Sequence, residues 1–257
     1  MSSRPRVFGV VSARVRSRRA PGKAMAPLAG KPLLEHLFER LLSVSELDGW
    51  VLATSAAPEN DVLVRLAERM GVLVLAGDED DVLGRHVEVA RRFQAEHVVR
   101  VTGDNPLTDL GLIRELTALH LHETADYTYV PGDALLMGIL SEVISTRALV
   151  VSHRDGESRH RSELVTLYIK ENPERFRIVQ SRLSSGLYRP GYRVTVDEPE
   201  DLVLMDRIFS RLYRPGEILE TAAAIQLLDD EPELVAINAH LRHKNANLRS
   251  VELDSRT

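Results

Sequence analysis

The sequence predicts an α/β protein with a mostly parallel sheet and helices on both of its faces. Three observations lead to this class. The chain has 257 residues and is 44% apolar, which is enough for one large domain or two modest ones with a sizeable core. Short apolar runs rich in β-branched residues alternate with amphipathic stretches whose apolar spacing is close to ~3.6 residues. The connections between them are short, as in right-handed βαβ crossovers.

The first half of the chain supplies this alternation in order. We expect strands at residues 6–12, 49–55, 72–75 and 97–101, and helices at 32–42, 58–70, 81–94 and 109–122. Pro32 suits the first turn of the first helix, and Gly71 is a C-cap signal after the second. Ligands of such open sheets bind outside the carboxyl ends of the strands. The loops that follow the four strands therefore lie where a site is expected.

The second half of the chain is less regular. We expect strands at 126–130, 136–144, 176–181 and 191–196, and helices at 145–151, 158–171 and 199–212. Beyond residue 215, three apolar clusters indicate two further helices.

Composition excludes several classes of protein. The chain has no cysteine, which excludes a disulfide framework, a thiolate metal site and a cysteine nucleophile. No apolar run approaches the ~18–20 residues of a membrane helix, and the amino terminus lacks the apolar stretch of a signal peptide. We therefore expect a cytoplasmic protein without membrane contacts.

Charge is distributed unevenly along the chain. The net charge is −5, yet the first 40 residues carry +7 and the remaining 217 carry −12. A basic arm that binds nucleic acid is one interpretation of this asymmetry, and a phosphate site within an acidic enzyme is another. The arginines lie in a Pro-Gly loop after a strand without interleaved aromatic residues, so we expect no nucleic-acid partner.

The loop after the first strand holds most of the positive charge. Five cations fall between residues 14 and 23, namely Arg14, Arg16, Arg18, Arg19 and Lys23. Converging cations and the backbone N–H groups of a turn suit a triphosphate. A solvated basic loop is the alternative. The loop is neither a Walker A sequence nor a G-x-G-x-x-G fingerprint.

Two acidic residues are candidates for a metal site. Asp104 follows the fourth strand within Gly-Asp-Asn-Pro, where it suits an Asx turn. Asp197 precedes a helix that begins with Glu198-Pro199, where it suits an N-cap. Two carboxylates from distant segments that meet over a cationic loop would instead form a Mg²⁺ site shared with substrate phosphates.

Several motifs together identify a family. They are Ala13-Arg14-x-x-Ser17-x-Arg19-x-Pro21-Gly22-Lys23, Leu28-x-Gly30-Lys31-Pro32-Leu33-Leu34, Ala53-Thr54-Ser55, Asp81-Val82-Leu83-x-Arg85, Val101-Thr102-Gly103-Asp104-x-Pro106-Leu107-x-Asp109, Ala125-Asp126-Tyr127, Asn172-Pro173-Glu174-x-Phe176 and the run from Arg193 to Leu202. Residues 6–213 thereby resemble the sugar-acid cytidylyltransferases. The spore-coat polysaccharide branch is the most similar, and the acylneuraminate and 3-deoxy-manno-octulosonate enzymes are its relatives.

The resemblance implies a Rossmann-like nucleotide-diphospho-sugar transferase fold. Residues 1–213 would form the nucleotidyltransferase domain, with an insertion at about 126–190 for acceptor binding and dimerisation, and 214–257 would be a C-terminal helical extension. The implied reaction transfers CMP from CTP to an anionic acceptor, such as a sugar acid in polysaccharide biosynthesis, and releases pyrophosphate. A homodimer is implied as well.

The resemblance also implies residue roles. Catalytic roles would fall to Arg14, Lys23 and Asp104, and Mg²⁺ would bind to Asp104 and Asp197. Nucleotide contacts would come from Ala13, Arg14, Ser17, Arg19, Lys23, Ala53, Thr54, Asp81, Arg85, Thr102 and Gly103. Acceptor contacts would come from Glu142, Arg161, Glu163 and Thr166.

The acceptor half departs from the family pattern. Leu140 stands where the spore-coat branch has an acidic residue, and Leu164 and Leu167 replace a His and a Pro. Either an unusual acceptor or a degenerate site would produce these changes. Two alternatives therefore stay open: a nucleotidyltransferase that uses another nucleotide or a non-sugar acceptor such as a phosphonate, and a catalytically inactive nucleotide-binding module.

Overall fold

The strands form one large sheet and a short ribbon. A computed structural model describes residues 4–16, 20–131, 136–181 and 185–241. Within them the strands are β1 (Val7–Ser12), β2 (Pro27–Leu28), β3 (Lys31–Pro32), β4 (Gly49–Ser55), β5 (Leu73–Gly77), β6 (His97–Thr102), β7 (Tyr127–Tyr129), β8 (Glu142–Ser145) and β9 (Ile178–Gln180). The large sheet has the order β5-β4-β1-β6-β8-β7-β9, and β2 pairs with β3.

Most neighbours in the large sheet are parallel. Strands β5, β4, β1 and β6 run in one direction, β8 is antiparallel to both β6 and β7, and β9 is parallel to β7. The mostly parallel α/β fold expected from the sequence is confirmed. Residues 126–190 contribute β7, β8 and β9 to this same sheet.

Helices cover both faces of the sheet. They are α1 (Leu33–Leu41), α2 (Asp61–Arg69), α3 (Val82–Phe93), α4 (Leu110–His122), α5 (Thr146–Asp155), α6 (Leu167–Glu171), α7 (Pro199–Leu212), α8 (Thr221–Asp230) and α9 (Pro232–Ala236). Alternation along β1 sends Val7 and Val11 into a core with α1, α2 and α4, whereas Phe8 and Val10 enter a core with α3, α5 and α6. A third core joins α7, α8 and α9. Among the described residues no helix is both long and apolar enough to cross a membrane.

Two expected strands are largely absent. Of residues 136–144, only the last three belong to β8. Residues 191–196 form no strand, and a single bridge between Met137 and Arg193 joins the two segments. The apolar side chains of Leu136, Ile139 and Val194 are buried in the third core instead, so they produce an apolar run without a hydrogen-bonded ladder. Gly138 adopts a left-handed φ of 105° and lies against the backbone of residue 194, which turns the chain away from the sheet.

The single helix expected at 158–171 is divided. A short 3-10 turn covers Ser158–Arg161, and α6 begins only at Leu167. Ser162 adopts an extended backbone, and its hydroxyl donates to the carbonyl of Arg159 over 2.9 Å. This local bond competes with a continuous helix.

Candidate active site

The site begins where β1 and β6 end side by side. Ser12 pairs with Thr102, and the N–H of Gly103 donates to the carbonyl of Ser12 over 2.9 Å. A Cβ on Gly103 would lie 2.7 Å from the Cβ of Ala13, so only glycine allows the two strand ends to approach this closely. The loops after β1 and β6 therefore leave the sheet in contact with each other.

Lys23 is placed by a tight turn at the end of the basic loop. Gly22 has a left-handed φ of 72°, and its N–H closes the loop by donating to the carbonyl of Val15 over 2.9 Å. The Lys23 ammonium is 13% exposed and donates to Asp104 Oδ2 at 2.7 Å, to Asp197 Oδ1 at 3.0 Å and to the carbonyl of Val196 at 2.6 Å. All three of its protons are thereby used.

The electrostatics of Lys23 follow from these contacts. Burial by itself would lower the pKa of Lys23, but the charges of Asp104 and Asp197 outweigh it and raise the pKa above its ordinary value. The side chain is therefore a permanent cation between two carboxylates.

The two carboxylates come from segments more than ninety residues apart in the sequence. The side chains of Asp104 and Asp197 are 24% and 23% exposed, so both reach solvent beside Lys23. Asp197 does not cap α7, because the N-cap position is Glu198. The structure thus brings Lys23, Asp104 and Asp197 to one point at the carboxyl edge of the sheet.

A buried ion pair lies directly behind Asp197. Arg193 and Asp201 have side chains 4% and 0% exposed, and the guanidinium donates to both carboxylate oxygens over 2.7 Å. Asp201 also accepts from the N–H groups of Asp197 and Glu198, each over 2.9 Å. Burial opposes ionisation of Asp201, yet these bonds keep its pKa below the ordinary value. Both residues belong to the family motif that runs from Arg193 to Leu202, yet the resemblance implies no role for either, and their i, i+8 spacing gives no local signal.

Arg14 and Arg16 of the basic loop lie at the rim of the site. Arg14 is 41% exposed, with its guanidinium 3.6 Å from Glu79, and Arg16 pairs with Glu59. Ala13 is half-buried against the first core. Ser17 and Arg19, both expected to contact the nucleotide, lie outside the described residues. The alternative interpretation, a basic loop that is only solvated, does not apply to Lys23, because its charge lies inside the site.

The end of β4 and the start of α3 hold the other expected nucleotide contacts. Ala53 and Thr54 are fully buried at the end of β4, and the Thr54 hydroxyl has no hydrogen-bond partner in the described part of the chain. Asp81 caps α3 by accepting from the N–H of Gly84 over 2.6 Å, and it accepts from His153 over 2.6 Å. Arg85 is 4% exposed and donates to the carbonyls of residues 78 and 79, so it fixes the loop after β5.

A second polar cluster lies on β8 and its neighbours. Glu142 accepts from Arg100 at 2.6 Å, from Thr166 at 3.2 Å, from Lys170 at 3.4 Å and from the hydroxyl of Tyr127. Burial would raise the pKa of Glu142, but the charges of Lys170 and Arg100 outweigh it and bring the pKa to about 2.

The expected acceptor residues are divided by the structure. Glu142 and Thr166 are in contact, and Glu163 contributes its backbone carbonyl, which accepts from Arg100 over 3.0 Å. Arg161 donates instead to the carbonyl of His153 over 3.4 Å. Sequence reasoning missed Arg100 and Lys170. A charged residue within the apolar run 97–101 is the signal that points to Arg100.

The three leucines that depart from the family pattern have ordinary packing roles. Leu140 packs against the first and third cores, Leu167 is 9% exposed, and Leu164 is half-buried.

The donor set of the Lys23 site fits a hard divalent cation. Across residues 4–16, 20–131, 136–181 and 185–241, no three His, Asp or Glu side chains converge on a metal position. The two carboxylates Asp104 and Asp197 nevertheless face one point that already holds a cation, the Lys23 ammonium. Two protein carboxylates completed by water and substrate phosphates form the coordination that Mg²⁺ favours.

Comparison with known proteins identifies the class of this fold. The fold is that of a nucleotidyltransferase. Residues 8–232 match the cytidylyltransferase family model, and the chain belongs to that family. The spore coat polysaccharide biosynthesis protein SpsF of Bacillus subtilis is 31% identical over 234 residues, which cover 88% of this chain and 95% of SpsF. The resemblance to sugar-acid cytidylyltransferases and the expectation of an enzyme are confirmed.

Solved structures share the fold. A cytidylyltransferase from Leptospira borgpetersenii superposes with a TM-score of 0.85 at 22% identity and covers 93% of this chain and 100% of its own. CMP:2-keto-3-deoxy-manno-octonic acid synthetase complexed with CTP superposes with a TM-score of 0.62 at 16% identity, covering 80% of this chain and 99% of its own.

Proposed function

We propose that this cytidylyltransferase transfers CMP from CTP to an anionic acceptor, a sugar acid or a chemically related acid, with Mg²⁺ as its metal and pyrophosphate as the second product. The observation that carries the proposal is Lys23, held between Asp104 and Asp197 at the carboxyl edge of the sheet. The family match and the CTP bound to a structural relative support the choice of nucleotide.

In this proposal the chain positions reactants and compensates charge, as expected for nucleotidyl transfer. Lys23 contacts the triphosphate and stabilises the negative charge that pyrophosphate gains as it leaves. Arg14 adds a cation from the rim, and Arg19 is proposed to contact the triphosphate on the family resemblance alone. Mg²⁺, when bound by Asp104 and Asp197, polarises the phosphate oxygens and neutralises their charge.

The nucleoside is proposed to lie over the ends of β4 and β5. Thr54 offers a buried hydroxyl without a partner among the described residues, and this group gains a hydrogen bond if a base reaches it. Ala53, Thr102 and Gly103 contribute close backbone approach, and Asp81 and Arg85 hold the neighbouring loop in shape.

The acceptor is proposed to bind beside the cluster centred on Glu142. Arg100 and Lys170 bring two positive charges to one carboxylate, so the cluster has a net charge of +1 and suits an acid. Thr166 and the backbone carbonyl of Glu163 border this region, whereas Arg161 contacts the carbonyl of His153 instead. As in the family it resembles, we propose a homodimer, which sedimentation equilibrium tests directly.

The experiment measures pyrophosphate release with CTP and Mg²⁺ against a panel of anionic sugars and phosphonates. ATP, GTP and UTP each replace CTP in parallel reactions. We expect release with CTP and at least one sugar acid. Asp104→Asn and Asp197→Asn should each lower the rate by at least about 100-fold, since even partners behind a metal ligand cost 10–100-fold.

The matched control is Asp206→Asn, which changes an exposed carboxylate on α7 that accepts only a 3.3 Å bond from the N–H of Ala29 within the described part of the chain. It should retain the wild-type rate. Full activity in either site variant contradicts the metal assignment, and release with another nucleotide but not CTP contradicts the proposed substrate.

A further inference from the structure

The C-terminal segment, residues 214–241, makes a buried polar contact with the active-site region. Asn238 follows α9 and is 2% exposed. Its side-chain amide donates to the carbonyl of Arg193 over 3.0 Å and to Asp201 Oδ1 over 2.8 Å. The preceding residues are anchored by apolar packing, because Leu234 of α9 and Leu228 of α8 are buried in the third core.

This amide completes the surroundings of the Asp201 carboxylate. Oδ1 accepts from Asn238 and from Arg193 Nε, whereas Oδ2 accepts from the second arm of Arg193 and from the N–H groups of Asp197 and Glu198. Asp201 therefore links Asn238 to the backbone of Asp197 through one rigid group. Both protons of the Asn238 amide are used, so the contact fixes the orientation of the carboxylate.

We infer that Asn238 is a positioning residue for Asp197, and that the C-terminal segment completes the metal-binding carboxylate pair. The inference rests on the proposed function, since it assumes that Asp197 holds a divalent cation. Asn238 lies beyond residue 232, where the match to the family model ends.

The physical effect of losing this amide is local. In Asn238→Ala, the Asp201 oxygen and the Arg193 carbonyl each lose a buried donor. Asp201 is then free to tilt on its remaining partners, and the backbone of Asp197 moves with it. Partners behind a metal ligand typically change metal affinity by 10–100-fold, and we expect a weakening of about 10-fold here.

The test compares wild type, Asn238→Ala and Gln226→Ala. Gln226→Ala is the matched control, because it removes an exposed side-chain amide on α8 that donates to Asp230 over 2.9 Å and leaves Asn238 and its apolar anchors in place. Mn²⁺ affinity is measured by electron paramagnetic resonance in the presence of CTP, well below the unfolding temperature of each variant. Backbone hydrogen exchange at Asp197 and Glu198 provides a second readout that needs no metal.

The inference predicts about 10-fold weaker Mn²⁺ binding and faster exchange at both amides in Asn238→Ala, with wild-type values in Gln226→Ala. Unchanged Mn²⁺ affinity or unchanged exchange in Asn238→Ala overturns it, as does equal weakening in Gln226→Ala. If Asn238→Ala does not fold, Asn238→Ser supplies one donor in place of two and should show a smaller change of the same sign; wild-type values in this variant also overturn the inference.

Failure of the proposed function gives a different result. A wild-type enzyme that binds Mn²⁺ but releases no pyrophosphate with any acceptor contradicts the proposed reaction and leaves the role of Asn238 intact. A wild-type enzyme that binds no Mn²⁺ contradicts both.

Discussion

The backbone N–H of Val196 donates a 2.9 Å hydrogen bond to the carbonyl of Asp104, and this contact joins the two halves of the site. The residue after Val196 is Asp197, so the bond sets the two carboxylates beside each other. Lys23 donates to the carbonyl of Val196 as well, which ties the basic loop to the same point. The backbone bond and the Lys23 contact together align three distant segments.

Replacing Lys23 tests the electrostatic role of its ammonium. We expect Lys23→Ala to lower kcat by about 10²–10³-fold, as for the loss of one group that stabilises developing charge. The free energy of unfolding should change by only about 1 kcal/mol, because the partner carboxylates reach solvent. Steady-state kinetics and urea unfolding measure the two quantities. Arg114→Ala, which removes a surface cation paired with Glu46 at 2.9 Å, is the control and should keep the wild-type kcat.

The ion pair of Arg193 and Asp201 is expected to contribute strongly to stability. Removing one member leaves an uncompensated buried charge, so Asp201→Ala should lower the free energy of unfolding by about 3–5 kcal/mol. The double variant Arg193→Met, Asp201→Ala should recover part of this loss, since no lone charge remains. Chemical unfolding of wild type, of the two single variants and of the double variant gives the coupling energy between Arg193 and Asp201. A single variant within about 1 kcal/mol of wild type would show that the pair is not a buried unit.

Glu142 organises the cluster to which we assign the acceptor. In Glu142→Gln the positive charges of Arg100 and Lys170 lose their common partner, and both side chains are expected to reorient. We expect the KM for the acceptor to rise by about 10-fold while the KM for CTP is unchanged, an effect of the size typical for supporting polar partners. Glu88→Gln alters an exposed carboxylate on α3 and serves as the control. Equal changes in both KM values would argue against a specific acceptor role.

Buried histidines make the fold sensitive to acid. Burial lowers the pKa of His86 to about 4, whereas the unfolded side chain has a pKa of about 6.5. His86 is therefore neutral in the fold and takes up a proton on unfolding, so its contribution is complete above pH 6.5 and is lost as the pH falls toward 4. The shift corresponds to about 3 kcal/mol across this window.

Urea unfolding between pH 7 and pH 4 checks this expectation. The free energy of unfolding should depend less steeply on pH in His86→Leu than in wild type. His122→Leu, which changes a side chain that is 82% exposed, should keep the wild-type slope. The slope that remains in His86→Leu includes a contribution from His120, whose pKa is lowered to about 3 by burial and by His97.

The sequence by itself determined the sheet, the family and the candidate carboxylates. The spacing of apolar residues predicts the strands and helices of the first half, because each element buries one face or both faces against its sequence neighbours. The interpretation was wrong where residues 136–141 and 191–196 bury apolar side chains without a ladder, since burial alone does not distinguish a strand from an irregular segment packed against α7.

Only the tertiary structure decided which charges meet. Local sequence gave Asp104 and Asp197 equally good local explanations, a turn and a helix cap. The sheet order sets β1 beside β6, and the backbone bond between Val196 and Asp104 holds residue 196 near the end of β6. Lys23 therefore meets both carboxylates. Distances between segments that are not adjacent in the sequence also decide three other contacts. They are the pairing of Arg193 with Asp201, the cluster centred on Glu142 and the contact of Asn238. Hydrogen bonds act over about 3 Å, and no pattern along a sequence reports a separation of that kind.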